Sequence, residues 1–140
     1  MSDPRDPALA LVPADLRRAL AANAVRAAAG SFDPPPLVKL FNPTGPATWL
    51  ATELGADDDS LFGLADLGFG CPELGYFSLS EIAALRLPFG LRIERDTGFA
   101  SLLPLSRWAE AARRRGSILA AEAAFLRGDA PELPPGTPDG

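Results

Sequence analysis

The rhythm of hydrophobic and polar positions changes near residue 37. Upstream, "PADLRRALAANAVRAAAG" combines high-propensity alanines with a proline near the first turn and a closing Gly30, and predicts a helix. Its apolar stripe is thin. Leu16 and Leu20 are followed along that stripe by Asn23 and Ala27, so the helix is expected to pack peripherally. "SFDPPP" then ends it, since prolines supply no backbone donor and favour extended geometry.

From Leu37 onward, short apolar runs bounded by turn signals predict strands at 37–41, 47–54, 60–67 and 91–95, with Tyr76 and Phe77 a candidate fifth. The connections "NPTGP" and "GADDD" are short, so the first three strands are expected to form an antiparallel meander. In "DLGFGCPELGYFSLSE", Ser78 and Glu81 have the spacing of a capping box, and Phe77 and Ile82 that of a hydrophobic staple. A helix of about two turns should therefore start at Ser78 and stop at "RLPFG". Gly68, Gly70 and Gly75 give the preceding loop the freedom to turn sharply. Ser106 is expected to cap a further helix carrying Trp108, Ala109 and Ala112, which Gly116 ends, and Ser117 to cap a continuation.

These elements predict an α+β fold: a small antiparallel sheet of four to five strands with two to four helices packed mainly on one face. The organisation expected is an N-terminal extension with a peripheral helix over 1–36, a single α+β domain over 37–127, and a disordered proline-rich tail over 128–140. Leu40, Leu50, Leu54, Leu61, Leu67, Phe77, Ile82, Ile93 and Trp108 are the expected core.

Composition narrows what the chain can do. Its 140 residues are enough for one core, and no apolar run approaches the roughly 20 residues of a membrane span. The start, "MSDPRDPALA", lacks the basic and apolar regions of an export signal, and the single cysteine, Cys71, forms no internal disulfide; both favour a cytoplasmic location. Charge is uneven along the chain. Residues 1–36 and 90–140 are each balanced, whereas 37–89 set Glu53, Asp57, Asp58, Asp59, Asp66, Glu73 and Glu81 against only Lys39 and Arg86. An acidic middle repels phosphates, so direct nucleic-acid binding is not expected.

The chain has no histidine, which removes serine and cysteine triads, histidine-bearing zinc sites and imidazole bases. Lys39 is the sole lysine and stands in a predicted strand without a phosphate loop; "GFGCPELG" lacks both the lysine ending of such a loop and the third glycine of a dinucleotide fingerprint. No cofactor or metal is expected. Cys71 has no sequence neighbour that would lower its pKa, and reads as a small residue in a turn. "RRR" at 113–115 falls in the last turn of a helix, where the dipole favours positive charge.

Carboxylates and aromatics remain. If Leu54 faces Leu61 across "GADDD", then Trp49, Ala51 and Glu53 share a face with Phe62, Leu64 and Asp66, and the opposite face, with Leu50, Leu54, Leu61 and Leu67, is the core. Glu53 then lies opposite Phe62, about 13 Å from Asp66 at roughly 3.3 Å per residue, too far to share a metal unless the register slips. The favoured function is a non-enzymatic module that binds a protein partner through Trp49, Phe62 and Tyr76, rimmed by Glu53, Asp66 and Glu73. The alternative is a carboxylate-based enzyme, with or without a metal, using Glu53, Asp66 and Glu73.

The ordered blocks "LFNPTGPATWLATEL", "LFGLADLGFGCPELGYFSLSEI" and "LPFGLRIERD" resemble a family of small uncharacterised proteins, a domain of unknown function carried by bacterial plasmids, integrative elements and phages. The resemblance implies a role in establishment within, or conflict with, a host cell, and carries no reaction with it. It directs attention to Trp49, Glu53, Asp66 and the Pro72–Gly75 turn. Glu73, in that turn, is expected either to accept backbone hydrogen bonds that close the loop or to point into a cleft beside Trp49.

Overall fold

The structure, a computed structural model, describes residues 6–128. The expected disordered tail lies, apart from Gly128, outside the described residues. Two helices, α1 (Pro7–Leu11) and α2 (Ala14–Ala28), precede a meander of four strands: β1 (Val38–Phe41), β2 (Thr48–Leu54), β3 (Ser60–Asp66) and β4 (Glu73–Ser78). Helix α3 (Leu79–Ala84), a 3-10 turn at Pro88–Gly90, the two-residue β5 (Glu94–Arg95), α4 (Leu105–Arg115) and α5 (Ile118–Leu126) follow. The sheet is antiparallel throughout, in the order β4-β3-β2-β1-β5. The α+β class is as expected, and the candidate strand at Tyr76 and Phe77 is the full six-residue β4.

Local capping works as the sequence requires at two helices. The Ser78 hydroxyl accepts from the Glu81 N–H at 3.1 Å, and the Ser117 hydroxyl from the Ala120 N–H at 3.0 Å. Gly116, at φ 93°, closes α4 directly after the three arginines. At α4 the expectation fails: the helix opens two residues early, with Pro104 in the cap position, and Ser106 instead donates through its N–H and hydroxyl to the Asp33 carboxylate. A carboxylate from 73 residues upstream takes the role expected of the local serine.

A bulge in β2 organises the whole molecule. Leu54↔Leu61 and Glu53↔Phe62 pair as expected, but beyond Thr52 the register shifts, giving Ala51↔Gly63, Leu50↔Leu64, Trp49↔Ala65 and Thr48↔Asp66. One extra residue reverses the side-chain faces for the first half of β2. Trp49 and Ala51 therefore join Leu54, Leu61, Leu40 and Val38 in one core, and Leu50 joins Leu64 in another. Gly63 allows this: a Cβ there would fall on the Leu50 carbonyl oxygen.

Both faces are thus apolar and both are covered. Leu11, Leu20, Leu79 and Ile82 of α1, α2 and α3, with Val12 between the first two helices, pack on the Trp49 face. Leu105, Trp108, Ala112, Ile118 and Ala121 of α4 and α5 pack on the Leu50 face. The helices divide between the faces rather than gathering mainly on one, and the segment 1–36 supplies four buried core residues, Ala8, Leu11, Val12 and Leu20, instead of standing outside. Of the expected core, Leu67 is corrected: it follows the end of β3 and is exposed, and Phe77 is half-buried.

Two polar ties hold α5 on the sheet. The Ile118 N–H donates to Asp66 at 2.8 Å, and the Lys39 ammonium meets the Glu122 carboxylate at 2.5 Å, with Asp96 at 3.6 Å. On the other side, β1 pairs with β2 only as far as Ala51, and the Thr52 carbonyl beyond accepts from the Asn23 amide at 3.0 Å. Helix α2 thereby covers the stretch of β2 that β1 leaves open.

Candidate functional site

Three of the six residues singled out from sequence meet in one groove. The ring of Phe62 on β3 lies 5.1 Å from that of Tyr76 on β4, tilted by 58°, as their cross-strand pairing requires. Glu53 stands beside Phe62 on β2. Ala24, Ala27 and Ala28 of α2 form the facing wall, and Gly55 and Ser60 close the end, enclosing about 350 Å³. The alanines recur at helical spacing, and their short side chains leave the groove open where α2 reaches round the end of β2.

Electrostatics distinguish this groove from the turn next to it. Glu53 is half-buried, and its desolvation raises its pKa above the ordinary glutamate value. In the β2–β3 turn, Asp57 accepts from the Ser60 hydroxyl at 2.6 Å, the Ser60 N–H at 2.8 Å and the Asp59 N–H at 3.0 Å, which lowers its pKa to about 2. Asp59 accepts from the Ser78 hydroxyl at 2.7 Å and the Ser80 N–H at 2.8 Å, and its pKa is also lowered, chiefly by the Ser78 bond. Those bonds make Asp59 a second cap on α3. Asp58 pairs with Arg17 at 3.0 Å.

The other three residues stand apart. Trp49 is buried on the opposite face, carried there by the bulge, so it shares no surface with Phe62 and Tyr76. Asp66 is fully buried: one carboxylate oxygen accepts from the Gly68 N–H at 2.9 Å and the other from the Ile118 N–H at 2.8 Å. This carboxylate positions the start of α5. Glu73 opens β4 opposite Ala65, is exposed, and lies on the side of β4 away from Tyr76. It neither closes the loop through a hydrogen bond among the described contacts nor enters a cleft beside Trp49, whose surroundings are core.

The carboxylates therefore do not converge. Among the described residues no three His, Cys, Asp or Glu side chains group as metal ligands would. Cys71 is exposed in the β3–β4 loop and directs its thiol to the Phe69 carbonyl at 3.6 Å. What sequence reasoning missed is the alanine wall of α2 and the length of β4, which adds Leu74 to the exposed surface beside Tyr76. The spacing of Ala24, Ala27 and Ala28 was visible; a strand broken by Gly75 was not.

No helix among the described residues is long and apolar enough to cross a membrane. Residues 11–119 match a family described as proteins of unknown function, DUF2958. The chain belongs to that family. The match takes in α2, the entire sheet and α4, so both faces described above belong to the shared domain. No curated protein and no solved structure matches the chain.

Proposed function

We propose that this member of the DUF2958 family is a non-enzymatic interaction module whose protein partner docks on the Phe62–Tyr76 surface, with Glu53 at its rim. The observation that carries the reading is the exposure of Tyr76, 74% accessible while its ring packs at a tilt against Phe62 and is bordered by a half-buried carboxylate. An aromatic anchor beside an open groove with a polar rim is the make-up of a binding hot spot. The carboxylate enzyme reading has less support, since Asp66 is committed to α5 and Glu73 lies on the other side of the sheet from Glu53.

Direct nucleic-acid binding is disfavoured on charge. Residues 40–85 contain Glu53, Asp57, Asp58, Asp59, Asp66, Glu73 and Glu81 and no lysine or arginine. The resemblance to domains carried by plasmids, integrative elements and phages directs the search for the partner to host proteins. The test is quantitative affinity capture from the host with wild type, Tyr76→Ala and Leu102→Ala, the last changing an exposed leucine that does not line the groove. A protein retained by wild type and Leu102→Ala and lost by Tyr76→Ala supports the reading; equal retention by all three overturns it.

A further inference from the structure

Among the described residues no strand pairs with the outer edge of β4. Leu79 donates to the Asp59 carbonyl, and Gly55 to the Ser60 carbonyl, and these two bonds fix which residues of the ladder exchange hydrogen bonds. Alternation along the antiparallel pair then assigns the β3 bonds to Glu73, Gly75 and Phe77, and turns the N–H and C=O of Leu74 and Tyr76 outward. β4 is the last strand of the sheet on this side.

Edges of this kind are ordinarily protected by proline, lysine, a bulge or shortness. The opposite edge, β5, is two residues long. β4 has six residues without proline, lysine or bulge, and a Cβ at Gly75 would meet nothing within 4 Å. Its exposed side chains are apolar where they stand beside the free backbone groups: Tyr76 and Leu74, with Phe69, 82% accessible, in the loop before them.

We infer that β4 accepts an extended segment of a protein partner as a sixth strand, and that this segment alternates apolar residues with lysine or arginine. The inference rests on the reading of the Phe62–Tyr76 surface as the partner site. The alternation follows from the two sides of the edge. Partner side chains on the Tyr76 side meet Leu74 and Tyr76, whereas those on the other side meet Glu73 at one end and the Asp59–Glu81 end of β4 at the other. With no cation between residues 40 and 85, a basic segment is the complementary one.

Charge also argues against two other occupants. In an antiparallel pair of β4 edges from two copies, Glu73 of each would lie toward the Asp59–Glu81 end of its mate. The chain's own residues 129–140 carry Asp129, Glu132 and Asp139, no cation, and prolines at 131, 134, 135 and 138 that remove strand donors.

The experiment uses the full chain and three synthetic ten-residue peptides: alternating valine and lysine, alternating valine and glutamate, and the lysine peptide N-methylated along one edge. Binding is followed by amide NMR and hydrogen exchange. The lysine peptide is expected to saturate, to slow exchange at the Leu74 and Tyr76 amides at least tenfold, and to bind at least tenfold more tightly than either of the others. Leu74→Pro, which removes an outward N–H and leaves the β3 bonds in place, should lose the peptide while keeping the aromatic circular dichroism of Trp108. Equal binding of the glutamate peptide, unprotected Leu74 and Tyr76 amides in the complex, or no saturable binding overturns the inference. So does protection of those amides in the free chain that disappears on dilution or on deletion of 129–140, which would assign the edge to a second copy or to the tail. If Tyr76→Ala abolishes capture from the host while the lysine peptide leaves the edge unprotected, the partner surface stands and strand addition fails.

Discussion

Glu53 and Asp66 lie on the same face of the same strand pair, and the fold treats them in opposite ways. Asp66 is fully buried, with each oxygen engaged by a backbone N–H, one of them at the start of α5. Glu53 is half-buried beside Phe62 in an open groove, and its desolvation is not offset by any hydrogen bond among the described contacts. A buried carboxylate with both oxygens bonded holds the structure together. One left partly desolvated at a groove costs stability, and such costs collect at functional positions. Alike in sequence, the two residues are told apart by what covers them.

The most disruptive test strikes the platform both residues share. Gly63→Ala places a methyl on the Leu50 carbonyl oxygen, so the backbone of β2 and β3 must separate at the bulge. The bulge sets which face Trp49 and Leu50 occupy, and both cores are lined through it. The expected loss is at least about 3 kcal/mol, comparable to a severe overpacking of a core. Chemical denaturation of Gly63→Ala and wild type measures it; a loss below about 1 kcal/mol would mean that the strands part without cost and that the bulge does not fix the faces.

Asp66→Ala comes next. It leaves the Gly68 and Ile118 N–H groups without their carboxylate, and a hydrogen bond to a charged group contributes about 1.5–3 kcal/mol. With partial replacement by water, a loss of about 3 kcal/mol is expected, or roughly 10 °C in melting temperature for a domain of this size. Loosening should concentrate in α5, so hydrogen exchange at Ala121 and Ala124 should accelerate more than at Leu61. Uniform acceleration would place the role of Asp66 elsewhere.

How much of this was legible from the chain depends on the range of each interaction. The Ser78 and Ser117 caps and the pairing of Leu54 with Leu61 rest on neighbours three to seven residues apart, and short-range patterns carried them. The cap on α4 came from Asp33, and no local pattern reports a partner that remote. The bulge had a local sign that the alternation argument passed over: a lone glycine inside an otherwise apolar strand, Gly63, marks a close backbone approach. Missing it put Trp49 with Phe62 and Leu50 with Leu54, and from that single slip followed the one-sided core and a partner surface that included Trp49. Glu53, Phe62 and Tyr76 share one groove because they lie on the near side of the slip.

On the groove side, Tyr76→Ala should separate stability from binding. The ring is largely solvent-exposed, and its removal forfeits mainly the contact with Phe62, about 0.5–1.5 kcal/mol for an aromatic pair. Partner capture should fall at least tenfold. Loss of several kcal/mol with capture intact would make Tyr76 a structural residue and reverse the comparison with Asp66.

The smallest effect is the most discriminating, because its sign is opposite to that at Asp66. Burial raises the pKa of Glu53, so over the interval between the unfolded and folded values the native state holds a proton that the unfolded chain has lost. Stability therefore falls as pH rises through that interval, and above the folded value the full cost of the desolvated charge is present. Glu53→Gln removes the charge and keeps the shape. It should be slightly more stable than wild type at pH 7, and the gain should vanish as pH falls below the ordinary glutamate value of about 4.3, where both side chains are neutral in either state. Melting temperatures of the two proteins between pH 3.5 and 8 give the difference directly. A variant that is stabler at neutral pH and weaker in partner capture would show a residue retained for binding at a cost in stability. A variant less stable at pH 7 would mean that Glu53 carries a structural bond in solution, and the groove would then resemble the Asp66 end of the same face.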